Sequence, residues 1–151
     1  MTSRVGSPSS ISADPMTNQD VDAINHVICD SLTLPLPIYS HATVHNGIVY
    51  LSCIQGLIPG TLEFPSSVSD EARQVFDNVR LVLEQSGSSL GRVLKMTILM
   101  TDMSEFSQIN EVVNEYFPEN PPARASIAVL ELPKGARVVV ELIAATNAPV
   151  D

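Results

Sequence analysis

The sequence has few basic residues, no tryptophan and no long apolar run, and these absences exclude several classes of protein. Eight lysines and arginines stand against 17 aspartates and glutamates in 151 residues, which gives a formal net charge of −9 at pH 7. Such a surface repels phosphate backbones, so we do not expect nucleic acid as a partner. No apolar run approaches the roughly 20 residues that a membrane-spanning helix needs, so we expect no membrane role.

Cysteine is also scarce. Cys29 and Cys53 can form at most one bridge, and their surroundings do not resemble a small scaffold held by disulfides. The pattern favours a reducing, cytoplasmic setting.

The first residues are rich in Ser, Pro and Asp and lack the apolar segment of a secretory signal. A mitochondrial location has less support, because Arg4 is the one basic residue of this segment. We predict a flexible tail over 1–24, one folded domain over 25–148 and a short second tail over 149–151.

Local signals predict a hairpin and two helices. Asn46-Gly47 within "ATVHNGIVYLS" is typical of a two-residue turn in which both residues have positive φ. The stretch "SSVSDEARQVFDNVRLVLEQSG" has the apolar spacing of an amphipathic helix, with Ser67 as its N-cap and Gly87 at its end. We predict a second helix in "SEFSQINEVVNEYF", capped by Ser104 and ended by Pro118.

The remaining apolar runs predict strands in the order β-β-β-α-β-α-β-β. They are "HVICDS", the two arms of the hairpin, "RVLKMTILMTD", and "ARASIAVLEL" and "ARVVVELIAA" joined by a "PKG" turn. The fourth strand is almost continuously apolar, which indicates burial on both faces. The last strand also has no solvated face, so association with copies of the same chain is the simplest way to bury it.

Four motifs resemble one known family. They are "PPARASIAVLELPKGARVVVELIAA", "YSHA" from Tyr39, "VYLSCIQG" from Val49 and "FSQINEVVNEYF" around Asn110. Together they resemble the RidA/YjgF/UK114 family of small enamine and imine deaminases. The resemblance implies an α+β, chorismate-mutase-like fold with a mixed sheet and two helices on one face. It also implies a homotrimer with small-molecule substrates bound in clefts between subunits, and no cofactor or metal.

Three residues carry the main expected roles by resemblance. Arg124 would clamp a substrate carboxylate, which suits the fork of donors on a guanidinium; the alternative is a structural pairing with a neighbour such as Glu131 or across an interface. Tyr39 would cover the ligand at the mouth of the cleft, or be an interfacial tyrosine. Asn110 would turn its amide into the cleft, or face solvent on its helix.

Further substrate-binding candidates follow from the same motifs. Ser52 would offer a hydroxyl or orient Arg124, and Ser126 lies two residues after Arg124 on the same side of its strand. Gly56 would allow the backbone to approach the ligand closely. Cys53, with Ile54, would make the pocket wall bulkier and less polar than in deaminating relatives.

The sequence departs from the family at the position thought to activate water. Hydrolytic members have a glutamate there, two residues before a second glutamate; this chain has Val139 and keeps the second as Glu141. Valine accepts no proton, so the hydrolytic reaction is in doubt. Glu141 lies roughly 6.5 Å along the strand, too far to replace it without another substrate pose.

Two functions from different classes fit these observations. The first is an enzyme that handles a reactive imine, enamine or related intermediate, with altered chemistry such as tautomerisation, cyclisation or elimination. The second is a non-catalytic trimer that binds a small carboxylate metabolite or a client protein. His41 and His45 lie in an extended segment where their spacing does not suit a metal, and Cys53 has no histidine or lysine tied to it by a motif.

Overall fold

Six strands form one sheet, and two helices cross one of its faces. The strands are β1 (Asn25–Val27), β2 (Ala42–His45), β3 (Ile48–Gln55), β4 (Val93–Met100), β5 (Ala123–Ala128) and β6 (Val138–Ala145). The helices are α1 (Val68–Gln85) and α2 (Phe106–Tyr116). The computed structural model describes residues 23–35 and 38–147, so the tails predicted over 1–24 and 149–151 lie almost entirely outside the described residues.

The strand order in the sheet is β1-β2-β3-β6-β4-β5. All neighbours are antiparallel except β4 and β5, which are parallel and connected through α2. The β2–β3 hairpin turns at Asn46 and Gly47, with φ of 49° and 75°. Positive φ at both residues is the type I′ geometry that matches the twist of paired strands, and it confirms the hairpin prediction.

The first helix begins and ends as the sequence predicts. The Ser67 hydroxyl accepts a hydrogen bond from the Asp70 amide at 3.1 Å, and Gly87 has a φ of 75° just after the helix. The second helix differs at its start. Glu105, not Ser104, is its N-cap residue, and no side chain caps it by a hydrogen bond. Asp102 instead caps the short 3-10 turn Met103–Glu105 that precedes the helix: its carboxylate accepts both the amide and the hydroxyl of Ser104, at 2.9 and 2.7 Å.

The core lies between the helices and one face of the sheet, which we call the helix face. Met96, Ile98 and Met100 of β4 face Leu142, Val140 and Val138 of β6, and all six are buried in the core. The opposite face, which we call the open face, carries the alternate residues of the same strands. They include Thr97, Leu99, Val139, Glu141 and Ile143.

The two faces of β4 differ in burial within one chain. Met96, Ile98 and Met100 on the helix face are buried, whereas Thr97 and Leu99 on the open face are only partly buried, so a single chain does not provide the burial predicted for both faces. The "PKG" turn connects β5 and β6 along the chain, as predicted, and β4 lies between these two strands in the sheet. The stretch after Ala128 leaves the sheet, and Pro133–Gly135 forms a single 3-10 turn before β6 begins.

Candidate active site

Arg124 lies on the edge strand β5 with its guanidinium held over α2. Its Nη1 donates a hydrogen bond to Oδ1 of Asn110 at 2.7 Å, and its Cζ lies 5.8 Å from the centre of the Phe106 ring. Among the residues that the structure describes, Arg124 forms no ion pair, with Glu131 or any other acid. The guanidinium is therefore oriented by neutral groups and keeps its charge available.

Ser126 lies beside this group. Ser126 pairs with Ile98 of β4, and Arg124 pairs with Met96 of the same strand. Because Ile98 and Met96 are on the helix face, the side chains of Ser126 and Arg124 are on that face as well. The Ser126 hydroxyl is buried and has no hydrogen-bond partner within the described part of the chain. Arg124, Asn110 and Ser126 thus form one polar group, which we call the Arg124 group.

The other candidates line a cavity of about 510 Å³ on the open face, which we call the Val139 cavity. Its lining consists of Tyr39, Ser52, Cys53, Gln55, Leu99, Leu132, Pro133, Lys134 and Val139. Val139 is 2% exposed and is paired with Leu99 on one side and Gln55 on the other. The position that resembles a water-activating glutamate is therefore a packed apolar wall.

A bulge in β3 shapes this cavity. Leu51 pairs with Leu142 and Ile54 with Val140, so Ser52 and Cys53 together stand opposite Glu141 alone. Extra residues of this kind redirect side chains next to binding sites. The Ser52 hydroxyl donates to the Ser40 carbonyl at 2.6 Å, so it fixes the segment that carries Tyr39 and does not orient Arg124 within the chain.

Cys53 and Glu141 contact each other at the edge of the cavity. The Cys53 thiol lies 3.9 Å from Oε2 of Glu141. Burial, followed by the nearby Glu141 charge and this contact, raises the pKa of the Cys53 thiol. The thiol therefore stays protonated near neutral pH, which argues against a nucleophilic role. Ile54 belongs to the core and not to the cavity wall expected for it.

Gly56 packs closely against α1. A Cβ at this position would lie 2.5 Å from the Glu71 carbonyl oxygen and 2.9 Å from its Cγ. The glycine therefore lets the end of β3 pass close to α1, and its expected approach to a ligand stays a prediction.

His41 is likewise structural. Its Nδ1 accepts the Cys29 amide at 2.8 Å, and its Nε2 lies 3.3 Å from the Thr33 carbonyl oxygen. Within residues 23–35 and 38–147, no three His, Cys, Asp or Glu side chains come together as a metal site. None of the helices in those ranges is both long and apolar enough to cross a bilayer.

Five of the residues that line the cavity were not among the predicted site residues, and two of these five, Gln55 and Lys134, are polar or charged. The Gln55 amide donates to the Pro133 carbonyl at 2.9 Å and ties the 3-10 turn to β3. Lys134, at the middle of that turn, has a φ of 61° and lines the cavity. The motif "LPKG" that contains Lys134 is visible in the sequence, but the location of this turn beside the cavity depends on the hydrogen bond from Gln55 to Pro133.

One chain does not bring the candidate residues together. Arg124 pairs with Met96, whose side chain is on the helix face, whereas Val139 pairs with Leu99 on the open face. Partners in adjacent strands share a face, so the Arg124 group and the Val139 cavity lie on opposite sides of the sheet.

This fold and these two groups define a small α+β protein of the RidA type. A family model described as endoribonuclease L-PSP matches residues 32–146, and the chain belongs to that family. The family resemblance predicted from the motifs is confirmed.

Curated relatives and solved structures agree with this assignment. The chain is 38% identical over 125 residues to protein HMF1 of Saccharomyces cerevisiae, covering 83% of this chain and 97% of the yeast protein. It is 37% identical over 107 residues to the 2-iminobutanoate/2-iminopropanoate deaminase of Bos taurus, covering 70% of this chain and 78% of the bovine one.

Among solved structures, the crystal structure of YEO7_yeast matches with a TM-score of 0.80 at 38% identity and covers 83% of this chain and 100% of that chain. RidA from the Antarctic bacterium Psychrobacter sp. matches with a TM-score of 0.77 at 35% identity, covering 80% of this chain and 98% of the bacterial one. The α+β fold class predicted from the sequence is confirmed.

Proposed function

We propose that the protein is an enzyme that binds a small imino, enamine or related oxo acid between two copies of the chain. The observation that carries the proposal is the placement of the Arg124 group and the Val139 cavity on opposite faces of one sheet. A homotrimer that sets the Arg124 group of one copy against the Val139 cavity of the next would complete a site with one charged end and one apolar end.

The charged end suits a carboxylate. The guanidinium of Arg124 is oriented by Asn110 and Phe106 and is left without an acidic partner among the described residues. A guanidinium fork pairs with a carboxylate through two parallel hydrogen bonds, which are stronger where water is excluded. The name of the bovine relative, a 2-iminobutanoate/2-iminopropanoate deaminase, supports a 2-imino acid as the class of substrate.

The apolar end favours chemistry other than hydrolysis. To hydrolyse an imine, water must add to the C=N carbon and pass protons to the nitrogen before the C–N bond breaks and ammonia leaves. No carboxylate lines the Val139 cavity, and Glu141 lies outside that lining in contact with Cys53. A water-poor cavity that holds one conformer can instead accelerate a tautomerisation, cyclisation or elimination within the ligand.

The test is ammonia and oxo-acid release from a 2-imino acid that an amino-acid oxidase generates in the cuvette. We expect wild type to match the background rate and Val139→Glu to exceed it, because the glutamate restores a group that can take a proton from water. Val139→Gln is the matched control, since glutamine has nearly the same size as glutamate and cannot act as a base.

Other outcomes decide between the alternatives. Release by wild type that Arg124→Ala abolishes would show that hydrolysis survives without the glutamate, and the altered-chemistry part would be wrong. A third outcome is that wild type binds 2-oxo acids through Arg124, while no variant and no candidate intermediate shows turnover. The protein would then be a binding module, which is also compatible with valine at the position of the glutamate.

A further inference from the structure

Among the described residues that line the Val139 cavity, Lys134 is the one with a formal charge. The other eight lining residues are apolar or neutral polar side chains. Two of those polar groups are already engaged, Ser52 with the Ser40 carbonyl and Gln55 with the Pro133 carbonyl. Lys134, in contrast, forms no ion pair with any acid among the described residues, although Glu131 precedes it by three positions.

The backbone at Lys134 is held in an unfavourable conformation. Its φ of 61° lies in the left-handed region, where a side chain meets the neighbouring carbonyl oxygen and glycine is preferred. Gly135 follows with a φ of 76°, so two successive residues share this geometry. Strained residues of this kind persist where the surroundings hold them in place, and they concentrate at ligand sites.

The surroundings hold this turn at two points. The Gly135 amide donates to the Leu132 carbonyl at 3.3 Å and the Ala136 amide donates to the Pro133 carbonyl at 3.2 Å, which closes the turn. The Gln55 amide then binds the Pro133 carbonyl at 2.9 Å and fixes the closed turn against β3. The cation is thus presented to the cavity by a structured turn that is tied to the central part of the sheet.

We propose that Lys134 is a second ligand anchor, opposite Arg124, and that the site selects small molecules with an acceptor group at both ends. This inference rests on the proposed function and deepens it. Arg124 of one copy takes the carboxylate next to the imine or oxo carbon, and Lys134 of the next copy takes a second carboxylate or an equivalent oxyanion. The favoured class is therefore a dianionic oxo or imino acid with a short apolar middle.

The experiment compares one acid that has a single carboxylate with two that have a second one. Calorimetry measures the Kd of 2-oxobutanoate, 2-oxoglutarate and 2-oxoadipate for wild type and for Lys134→Met, which keeps the apolar stem and removes the charge. We expect wild type to bind one of the two diacids about tenfold more tightly than the monoacid, the gain of one charge-assisted contact. In Lys134→Met the ratio of the monoacid Kd to the diacid Kd should fall close to one, while the Kd of the monoacid hardly changes.

Three further variants make the result specific. Lys134→Arg keeps the charge and is expected to retain the preference for the diacid. Lys134→Gly removes the charge and the backbone strain together, so it should lose the preference while its Tm is unchanged or raised. Lys95→Met removes the other lysine of the chain, which lies on β4 outside the Val139 cavity, and should leave the preference intact.

The outcomes separate this inference from the proposed function. If Arg124→Met weakens all three acids and Lys134→Met changes none of the ratios, the role of Lys134 is wrong and the carboxylate site stands. If wild type binds neither diacid more tightly than the monoacid, the role of Lys134 is also wrong and the carboxylate site stands. If Arg124→Met leaves every Kd unchanged, or wild type binds none of the acids, both proposals fail.

Discussion

Arg124 on β5 and Asn110 on α2 are joined by a hydrogen bond of 2.7 Å from Nη1 to Oδ1. The contact links an edge strand to the helix that precedes it, and it uses one of the five donors of the guanidinium. The remaining donors stay free to bind a carboxylate. Asn110 is thus a positioning residue for Arg124, and the expectation that its amide simply faces solvent does not describe it.

Replacing Asn110 should weaken binding of carboxylates without unfolding the protein. Asn110→Ala removes the acceptor, and we expect the Kd of 2-oxobutanoate to rise about threefold to tenfold, the value of one hydrogen bond to a charged group. Asn110→Asp should weaken binding more, because the new carboxylate competes for the guanidinium. Calorimetry measures both effects.

Asn114, exposed on the same helix, supplies the matched control. Asn114→Ala and Asn114→Asp should leave the Kd unchanged. Equal effects of the Asn110 and Asn114 variants would show that the Arg124 contact does not matter for binding.

Gly56→Ala should destabilise the fold. The added methyl group would meet the Glu71 carbonyl oxygen at 2.5 Å, and neither the end of β3 nor α1 can move without disturbing the core. We expect the free energy of unfolding to fall by about 1–3 kcal/mol, as overpacking of a close contact does. Gly91→Ala is the control, because its Cβ would have no atom within 4 Å. Denaturant unfolding that ranks the two variants equally would contradict this account.

Glu71 and Arg137 form a buried ion pair that fixes the start of β6. Glu71 is 0% exposed, and its carboxylate accepts the Arg137 Nε at 2.6 Å and the Arg137 amide at 3.0 Å. Arg137→Met leaves this carboxylate buried without its cation. We expect the free energy of unfolding to fall by roughly 3 kcal/mol. This is the low end of the range for breaking a buried ion pair, because the Arg137 side chain is 35% exposed.

Two comparisons check that explanation by denaturant unfolding. The double variant Glu71→Gln with Arg137→Met should be more stable than Arg137→Met alone, since it removes the unpaired charge. Arg73→Met, which breaks exposed pairs with Asp70 and Glu115, should destabilise the fold much less than Arg137→Met, because water screens exposed pairs. A double variant less stable than the single one would refute the role of the buried charge.

His41 should make the fold sensitive to mild acid. Burial lowers the pKa of His41 below its ordinary value of 6.5, and the hydrogen bond to the Thr33 carbonyl opposes this shift only in part. Between the two pKa values the unfolded chain binds more protons than the folded chain, so stability rises with pH there. The contribution is complete above pH 6.5 and is lost as the pH falls through the folded-state pKa.

The measurement is the free energy of unfolding at several pH values from 7.5 downwards. His41→Asn can keep an acceptor and a donor but does not titrate, so its stability should change less over this range. His26→Asn, at an exposed histidine, should follow wild type. Parallel curves for wild type and His41→Asn would show that another group causes the acid sensitivity.

The sequence predicted the features that depend on neighbouring residues. The positive φ values of Asn46 and Gly47 and the cap at Ser67 are local properties, and the structure confirms them. The location of β6 between β3 and β4 depends on contacts between distant segments, so no local signal marks it. The "PKG" turn was recognised as the connection between β5 and β6, but the insertion of β4 between these strands was not predicted.

For the site, family motifs identified residues but not their faces. Arg124 and Val139 were found from the sequence, yet their separation by the sheet depends on the strand register. The bulge at Ser52 and Cys53 is equally invisible, because it is defined by the two residues facing Glu141 alone. The close contact of Gly56 with Glu71 on α1 is also invisible, because a motif does not show which neighbour a glycine accommodates.

The insertion of β6 between β3 and β4 also governs how the chain is made. The chain leaves the ribosome in sequence order, so β3 and β4 emerge before the strand that lies between them in the sheet. Until β6 follows, β3 and β4 each have an unpaired edge on which another chain can add. We therefore expect the sheet to become continuous only when β6 has emerged.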